Sequence, residues 1–162
     1  MFVSYILLAS FLSSALCDTT CPDAWVADRG SCYLFGIDQT STFVEAQHYC
    51  EQHDAHLTII DDDFENNFLK SFVRKFRHTN WWIGLTDELV EGDWRWYKTQ
   101  EVPVFTDWAP NEPNSYGGKH NEDCGVMHTS TDFKWVDDLC SLHYSPICEK
   151  EAGSTTELTV IG

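Results

Sequence analysis

The chain has 162 residues, enough for one ordinary domain with a real core. A content of 43% hydrophobic and 14% aromatic residues excludes a disordered chain. A formal net charge of −16 excludes nucleic acid and anionic membrane as partners, since both are gripped by lysine and arginine, and leaves solubility or cation binding as the use of the acidity.

Residues 2–12, Phe-Val-Ser-Tyr-Ile-Leu-Leu-Ala-Ser-Phe-Leu, form one apolar run. It is too short to span a bilayer and has the length of a signal-peptide core, and Ala15-Leu16-Cys17 fits a cleavage site. A signal peptide over residues 1–17 and a secreted, extracellular protein without membrane insertion are therefore expected. Of the seven cysteines, Cys17 then leaves and six remain: Cys21, Cys32, Cys50, Cys124, Cys140 and Cys148. Cleavage after Ala15 would instead keep Cys17 as an odd thiol able to join two chains. An even count in a secreted chain implies disulfides, with the pairing left open by spacing alone. There is no C-x-x-C pair for zinc or redox chemistry, and no Asn-x-Ser/Thr sequon.

Ala24-Trp25-Val26 and Ser31-Cys32-Tyr33-Leu34-Phe35 read as short strands around a turn at Arg29-Gly30. Thr42-Phe43-Val44-Glu45 is a capping box, and Phe43, Ala46, Gln47 and Cys50 continue at helical spacing to about His53. His56 to Ile60 reads as a strand. Asp61-Asp62-Asp63 suits a helix N-terminus better than a metal site. That helix is expected to reach about Arg77, with Phe64, Phe68, Leu69, Phe72, Val73 and Phe76 on its inner face. Trp81-Trp82-Ile83-Gly84-Leu85 is a buried strand, and Asp93 to Tyr97 alternates like one. Residues 124–128, 133–137 and 146–150 read as three more. Residues 151–162 form a small polar tail, expected to be flexible. Two helices early and short strands late make an α+β domain over residues 21–150.

Between Lys98 and Asn121 lies a long stretch with little periodicity. A loop of that length in a compact domain is usually functional or disordered. This one holds three prolines, Trp108 and Tyr116 as anchors, and Cys124 just beyond its end. It is also rich in oxygen donors: Glu112, Asn114, Glu122 and Asp123. Carboxylates and amides on a tethered loop suit a hard cation such as Ca2+. Trp108 reads as an anchor or as a ring flanking a sugar, and His120 as an exposed loop residue or a tuner of sugar contact. His53 and His56 lack a ligand set around them. No nucleophile elbow or triad is present, so the chain does not read as an enzyme.

Trp82-Ile83-Gly84-Leu85, Glu112-Pro113-Asn114, Trp135-Val136-Asp137 and the six cysteines in this order together resemble the C-type lectin family from Cys21 to Lys150. The single-domain secreted format is similar to small invertebrate lectins, including the perlucin-like group. The resemblance implies the pairs Cys21–Cys32, Cys50–Cys148 and Cys124–Cys140. It implies a principal calcium held by Glu112, Asn114, Glu122 and Asp137, the same groups binding sugar, and a cis bond before Pro113. An auxiliary calcium would take Asp87, Glu91, Glu122 and Asp123, with Ser115 where an acid is usual. The Glu-Pro-Asn order resembles the mannose-type members, which take mannose, fucose or N-acetylglucosamine. Valine at 136 replaces the family's asparagine and removes one calcium ligand and one sugar donor. Asp138 as a substitute would point the other way if residues 135 to 138 stay a regular strand.

The function expected is thus a calcium-dependent lectin for glycans on microbial or cell surfaces, in innate immune recognition. Shallow single sugar sites need multivalency, so a homo-oligomer is expected, although no heptad is visible. The alternatives are an acidic matrix protein associated with calcium mineral, and a lectin-like domain that binds protein without calcium.

Overall fold

The computed structural model describes residues 19–115 and 122–154. The expected signal peptide, Cys17, Tyr116, His120 and the end of the tail lie outside them. In chain order the elements are β1 (Thr19–Thr20), β2 (Val26–Asp28), β3 (Ser31–Phe35), α1 (Phe43–Glu51), β4 (His56–Leu57), α2 (Asp63–Val73), β5 (Trp81–Thr86), β6 (Arg95–Trp96), β7 (Cys124–Met127), β8 (Trp135–Asp138), β9 (Ser145–Glu151) and β10 (Gly153–Ser154). Among the described residues the fold is α+β, with two helices, a mixed sheet and three disulfides, the cysteines paired as the resemblance implies. The main sheet runs β2-β3-β9-β5-β7-β8, with β4 on β9 and β6 on β5. Only the β5–β9 pairing within it is parallel. Among the described residues no helix is long and apolar enough to cross a membrane.

Helix α1 starts on the capping box, with Thr42 and Glu45 each bonding the other's backbone N–H. Its inner face carries Phe43, Ala46, Gln47 and Cys50. Helix α2 starts on Asp62, whose carboxylate accepts from Glu65 N at 2.8 Å. It ends at Val73, short of Arg77. Its inner face differs from the expected apolar stripe: Phe64 is 71% exposed, while Glu65, Asn66 and Lys70 are buried beside Leu69 and Val73. The reason is a set of distant polar partners, given below.

Two apolar clusters flank the sheet. One gathers Trp81, Ile83, Leu85, Trp96, Phe133 and Trp135 beneath α2, and the other gathers Trp82, Val126, Val136 and Cys148 beneath α1. Gly84 sits where β5 meets the chain after β4: a Cβ there would lie 2.7 Å from Leu57 O, so any side chain would push the two apart. Cys50–Cys148 ties α1 to β9 across 98 residues. A loop of about that length gives a stabilisation of up to about 5 kcal/mol in the chain-entropy model. Cys124–Cys140 joins β7 to the chain beyond β8, and Cys21–Cys32 closes the N-terminal hairpin. Residues 151–154, placed in the polar tail from sequence, are partly strand: β9 runs through Glu151, and β10 pairs antiparallel with β1. The pairing partner is at the opposite end of the described chain, so no local pattern announces it.

Candidate functional site

β8 is an edge strand, and an edge leaves backbone groups to satisfy. The long loop satisfies them. Trp135 N donates to Asp107 O at 2.9 Å, and Ala109 N donates to Trp135 O at 2.8 Å. The Trp108 side chain turns inward, its ring edge-on to Trp94 at 4.9 Å and to Trp135 at 5.9 Å. Trp108 is therefore a loop anchor. Asp107 is anchored from the side chain as well: it accepts from Lys134 Nζ at 2.6 Å, from Asn66 Nδ2 at 2.7 Å, and from Lys70. Asn66 completes the knot by accepting from Trp135 Nε1 at 3.0 Å. These are the partners that draw Asn66 and Lys70 inward on α2.

Two residues further along the same edge, Asp137 holds the functional stretch. Its carboxylate accepts from Asn114 N at 2.9 Å and from Ser115 N at 2.6 Å. Asn111 and Ser115 bracket the stretch with positive φ, 72° and 43°, and the Glu112–Pro113 bond is cis. The Asn114 amide donates to the Glu112 carboxylate. Glu112, Asn114, Glu122 and Asp137 line one open cavity of about 220 Å³. Burial, then the neighbouring Asp137 carboxylate, push the Glu112 carboxyl up to about 7. Acids so close repel one another unless a proton or a cation lies among them.

The expected auxiliary residues sit beside this cavity. Asp87 is buried; one carboxylate oxygen accepts from Gly92 N at 2.8 Å and the other has no partner. Burial, with Glu91 and Asp123 nearby, pushes its carboxyl up to about 6. Ser115 Oγ donates to Glu91 at 2.8 Å, linking the two groups of acids. Among the described residues no three His, Cys, Asp or Glu side chains are gathered into a formed ion cage. The donor chemistry nonetheless fits a hard cation: oxygens only, several ionisable, one buried and unsatisfied.

Val136 lines the same cavity and is only 7% exposed, an apolar floor among oxygens. Residues 135–138 are regular strand, and alternation puts Asp138 on the Val136 side. Asp138 also lines the cavity, but its carboxylate is engaged: it accepts from Tyr144 OH at 2.8 Å and Leu139 N at 2.9 Å. It is thus held by other partners rather than turned away. The far wall is His128, Ser130 and Thr131, none of which the sequence singled out. Burial pushes the His128 imidazole down, and its Nδ1 accepts from Ser130 N at 3.1 Å, which leaves the Nε2 tautomer protonated. The only signal would have been their place just before Trp135.

The sequence matches the model of the Lectin C-type domain over residues 39–150. It is 36% identical to asialoglycoprotein receptor 1 of Mus musculus over 146 residues, 88% of this chain and 49% of that protein. The chain thus spans about half the length of the curated relatives it matches. The mouse scavenger receptor C-type lectin carbohydrate-recognition domain superposes with a TM-score of 0.76 at 29% identity, covering 83% of this chain and 100% of that one. A calcium-independent type II antifreeze protein superposes with 0.72 at 27% identity, over 83% of this chain and 97% of that one.

Proposed function

Since this chain belongs to the C-type lectin domain family, whose members bind carbohydrate and are not enzymes, we propose that it is a calcium-dependent lectin for mannose-type glycans. The observation that carries this is the convergence of Glu112, Asn114, Glu122 and Asp137 on one cavity. These four would hold the ion, with Asp87, Glu91 and Asp123 available to a second. When bound, calcium supplies open coordination positions for two neighbouring sugar hydroxyls. The chain's own contribution is orientation. Asp137 fixes the backbone of Asn114 and Ser115, and Asn114 fixes Glu112. Carboxylates accept from the sugar hydroxyls and the amide donates to them. The Glu112-Pro113-Asn114 order supports equatorial 3- and 4-hydroxyls, as in mannose, fucose and N-acetylglucosamine. The mouse relative is by name a receptor for asialoglycoproteins, so terminal sugars of glycoproteins are the natural first panel.

The protein is proposed to be secreted after loss of residues 1–17, to act in innate recognition, and to gain strength by self-association, since single shallow sites bind weakly. A second reading rests on Val136: an apolar side chain at a ligand position favours binding without calcium. A glycan array run with calcium and with chelator separates them. Mannan binding that chelator abolishes is expected. Sugar binding indifferent to chelator supports the second reading, and absence of any glycan signal overturns both.

A further inference from the structure

Behind the His128–Thr131 wall lies a second cavity of about 280 Å³, lined by Arg77, His78, Thr79, Asn80, Thr129 and His143 among others. No carboxylate is among its described lining residues. That is unusual in a chain with 26 acids and 10 Lys and Arg. Three of those ten cations, Arg74, Lys75 and Arg77, lie within four positions just after α2. The acid paired with them is Asp132, which is shared by two guanidiniums: Arg74 at 2.8 Å and Arg77 at 3.2 Å. The trio keeps a net positive charge. Arg77 spends one of its five N–H donors on that pair. Neither His78 nor His143 makes a hydrogen bond among the described residues, and Glu45 is the acid that neighbours His143.

The two cavities share walls. Residues 129–131 form a single 3-10 turn; Ser130 and Thr131 face the Glu112 cavity, while Thr129 faces the second. Tyr144 lines the second cavity, and its hydroxyl bonds Asp138, which lines the first. A glycan seated at Glu112 and Asn114 that crosses this turn passes Asp138, which Tyr144 holds, and then meets the Arg77 guanidinium and the His78 and His143 imidazoles in a cavity whose described lining has no carboxylate. We propose that the second cavity is an anion subsite, taking a sulfate or comparable acidic substituent on the sugar next to the one bound at the Glu112 cavity. The glycan part of this rests on the lectin reading above; the anion pocket itself does not.

Two measurements on the full chain test it. Inorganic sulfate is titrated against the 15N-labelled protein at constant ionic strength in chloride. Shifts at the Thr79, Asn80 and Thr129 amides that vanish in Arg77→Gln/His143→Gln are expected; no shift beyond the chloride control overturns the anion pocket. Calorimetry in calcium then compares a neutral mannose oligosaccharide with its sulfate ester. A charge-assisted contact predicts a preference of about fivefold or more for the ester. The double variant should lose that preference and keep the neutral affinity. Equal affinities in the wild type overturn the subsite and leave the lectin reading standing. Failure to bind either glycan overturns the lectin reading, and the sulfate titration then decides the pocket alone. His78→Gln offers a second, milder variant should the double one misfold.

Discussion

Two aspartates tie the long loop to β8, and their surroundings are opposite. Asp107 lies between two ammonium groups and an amide: Lys134, Lys70 and Asn66. Burial pushes its carboxyl up, but the hydrogen bonds from Lys134, Lys70 and Asn66 outweigh this and hold it below the usual carboxylate range. Asp137, two residues past Trp135, receives only neutral backbone N–H groups among the described residues, and a charged neighbour is another acid, Glu112. Among the described residues the first carboxylate is paired with lysines and the second is not. The difference separates an anchor from a site: the anchor carboxylate is matched by cations of the chain, while at the rim the described residues set Asp137 beside Glu112 and suit a cation from outside.

The sharpest way to break this comparison is to remove the anchor. Asp107→Ala leaves Lys70, whose side chain is 8% exposed, without its partner. Stranding a buried charge in this way costs about 3–5 kcal/mol, read as a shift of the urea midpoint. A cost below about 1 kcal/mol would place Asp107 among ordinary surface acids.

The pH dependence sharpens it further, because Glu65 shares α2's buried face but lacks the lysines. Burial pushes the Glu65 carboxyl up to about 7, against hydrogen bonds from Tyr33 OH at 2.5 Å and Asp61 N at 3.0 Å. Its folded value exceeds its ordinary 4.5, so the folded chain holds the proton more tightly. Its stabilisation is complete below about 4.5 and is lost as pH rises through about 7. Asp107 has the opposite sign: its contribution is present above its ordinary 3.8 and disappears as pH falls. Denaturation across this range should show Glu65→Gln flattening the decline between about 4.5 and 7. An unchanged slope would mean burial does not govern Glu65.

Asp137→Asn probes the rim. The amide oxygen still accepts from Asn114 N or Ser115 N, so stability in chelator should fall by about 1 kcal/mol at most. Calcium and glycan affinity should fall by about tenfold or more, since a charged ligand is lost. Calorimetry beside urea titration reads both. A stability loss matching that of Asp107→Ala would erase the distinction between anchor and rim.

How much of this was written in the sequence follows the same division. The oxygen donors of the rim stand close together along the chain, in Glu112-Pro113-Asn114 and Glu122-Asp123, and a local pattern suffices to find them. The caps at Thr42 and Asp62 are local too. The anchor is not legible, because Asn66 and Lys70 find Asp107 from 41 and 37 residues away. Helical spacing therefore put Phe64 inside and these polar residues outside, and the folded chain reverses both. The His128–Thr131 wall escaped for a different reason: its side chains are ordinary, and only the turn that folds them beside Val136 makes them part of a site.

The smallest effect expected is at Val136, where the two regions meet. Its side chain belongs to the cluster of Trp82 and Val126 on one side and to the cavity floor on the other. Val136→Asn exchanges one role for the other. As a floor residue, asparagine adds an oxygen ligand and an amide donor, which raises calcium affinity by about fivefold for one net interaction of about 1 kcal/mol. As a core residue it places an amide against apolar neighbours, which lowers stability in chelator by about 1–3 kcal/mol. The two readouts move in opposite directions, so a general loss of folding cannot imitate the result. Unchanged calcium affinity would mean that position 136 never served the ion, and the apolar floor would then have to be explained by the sugar or by packing alone.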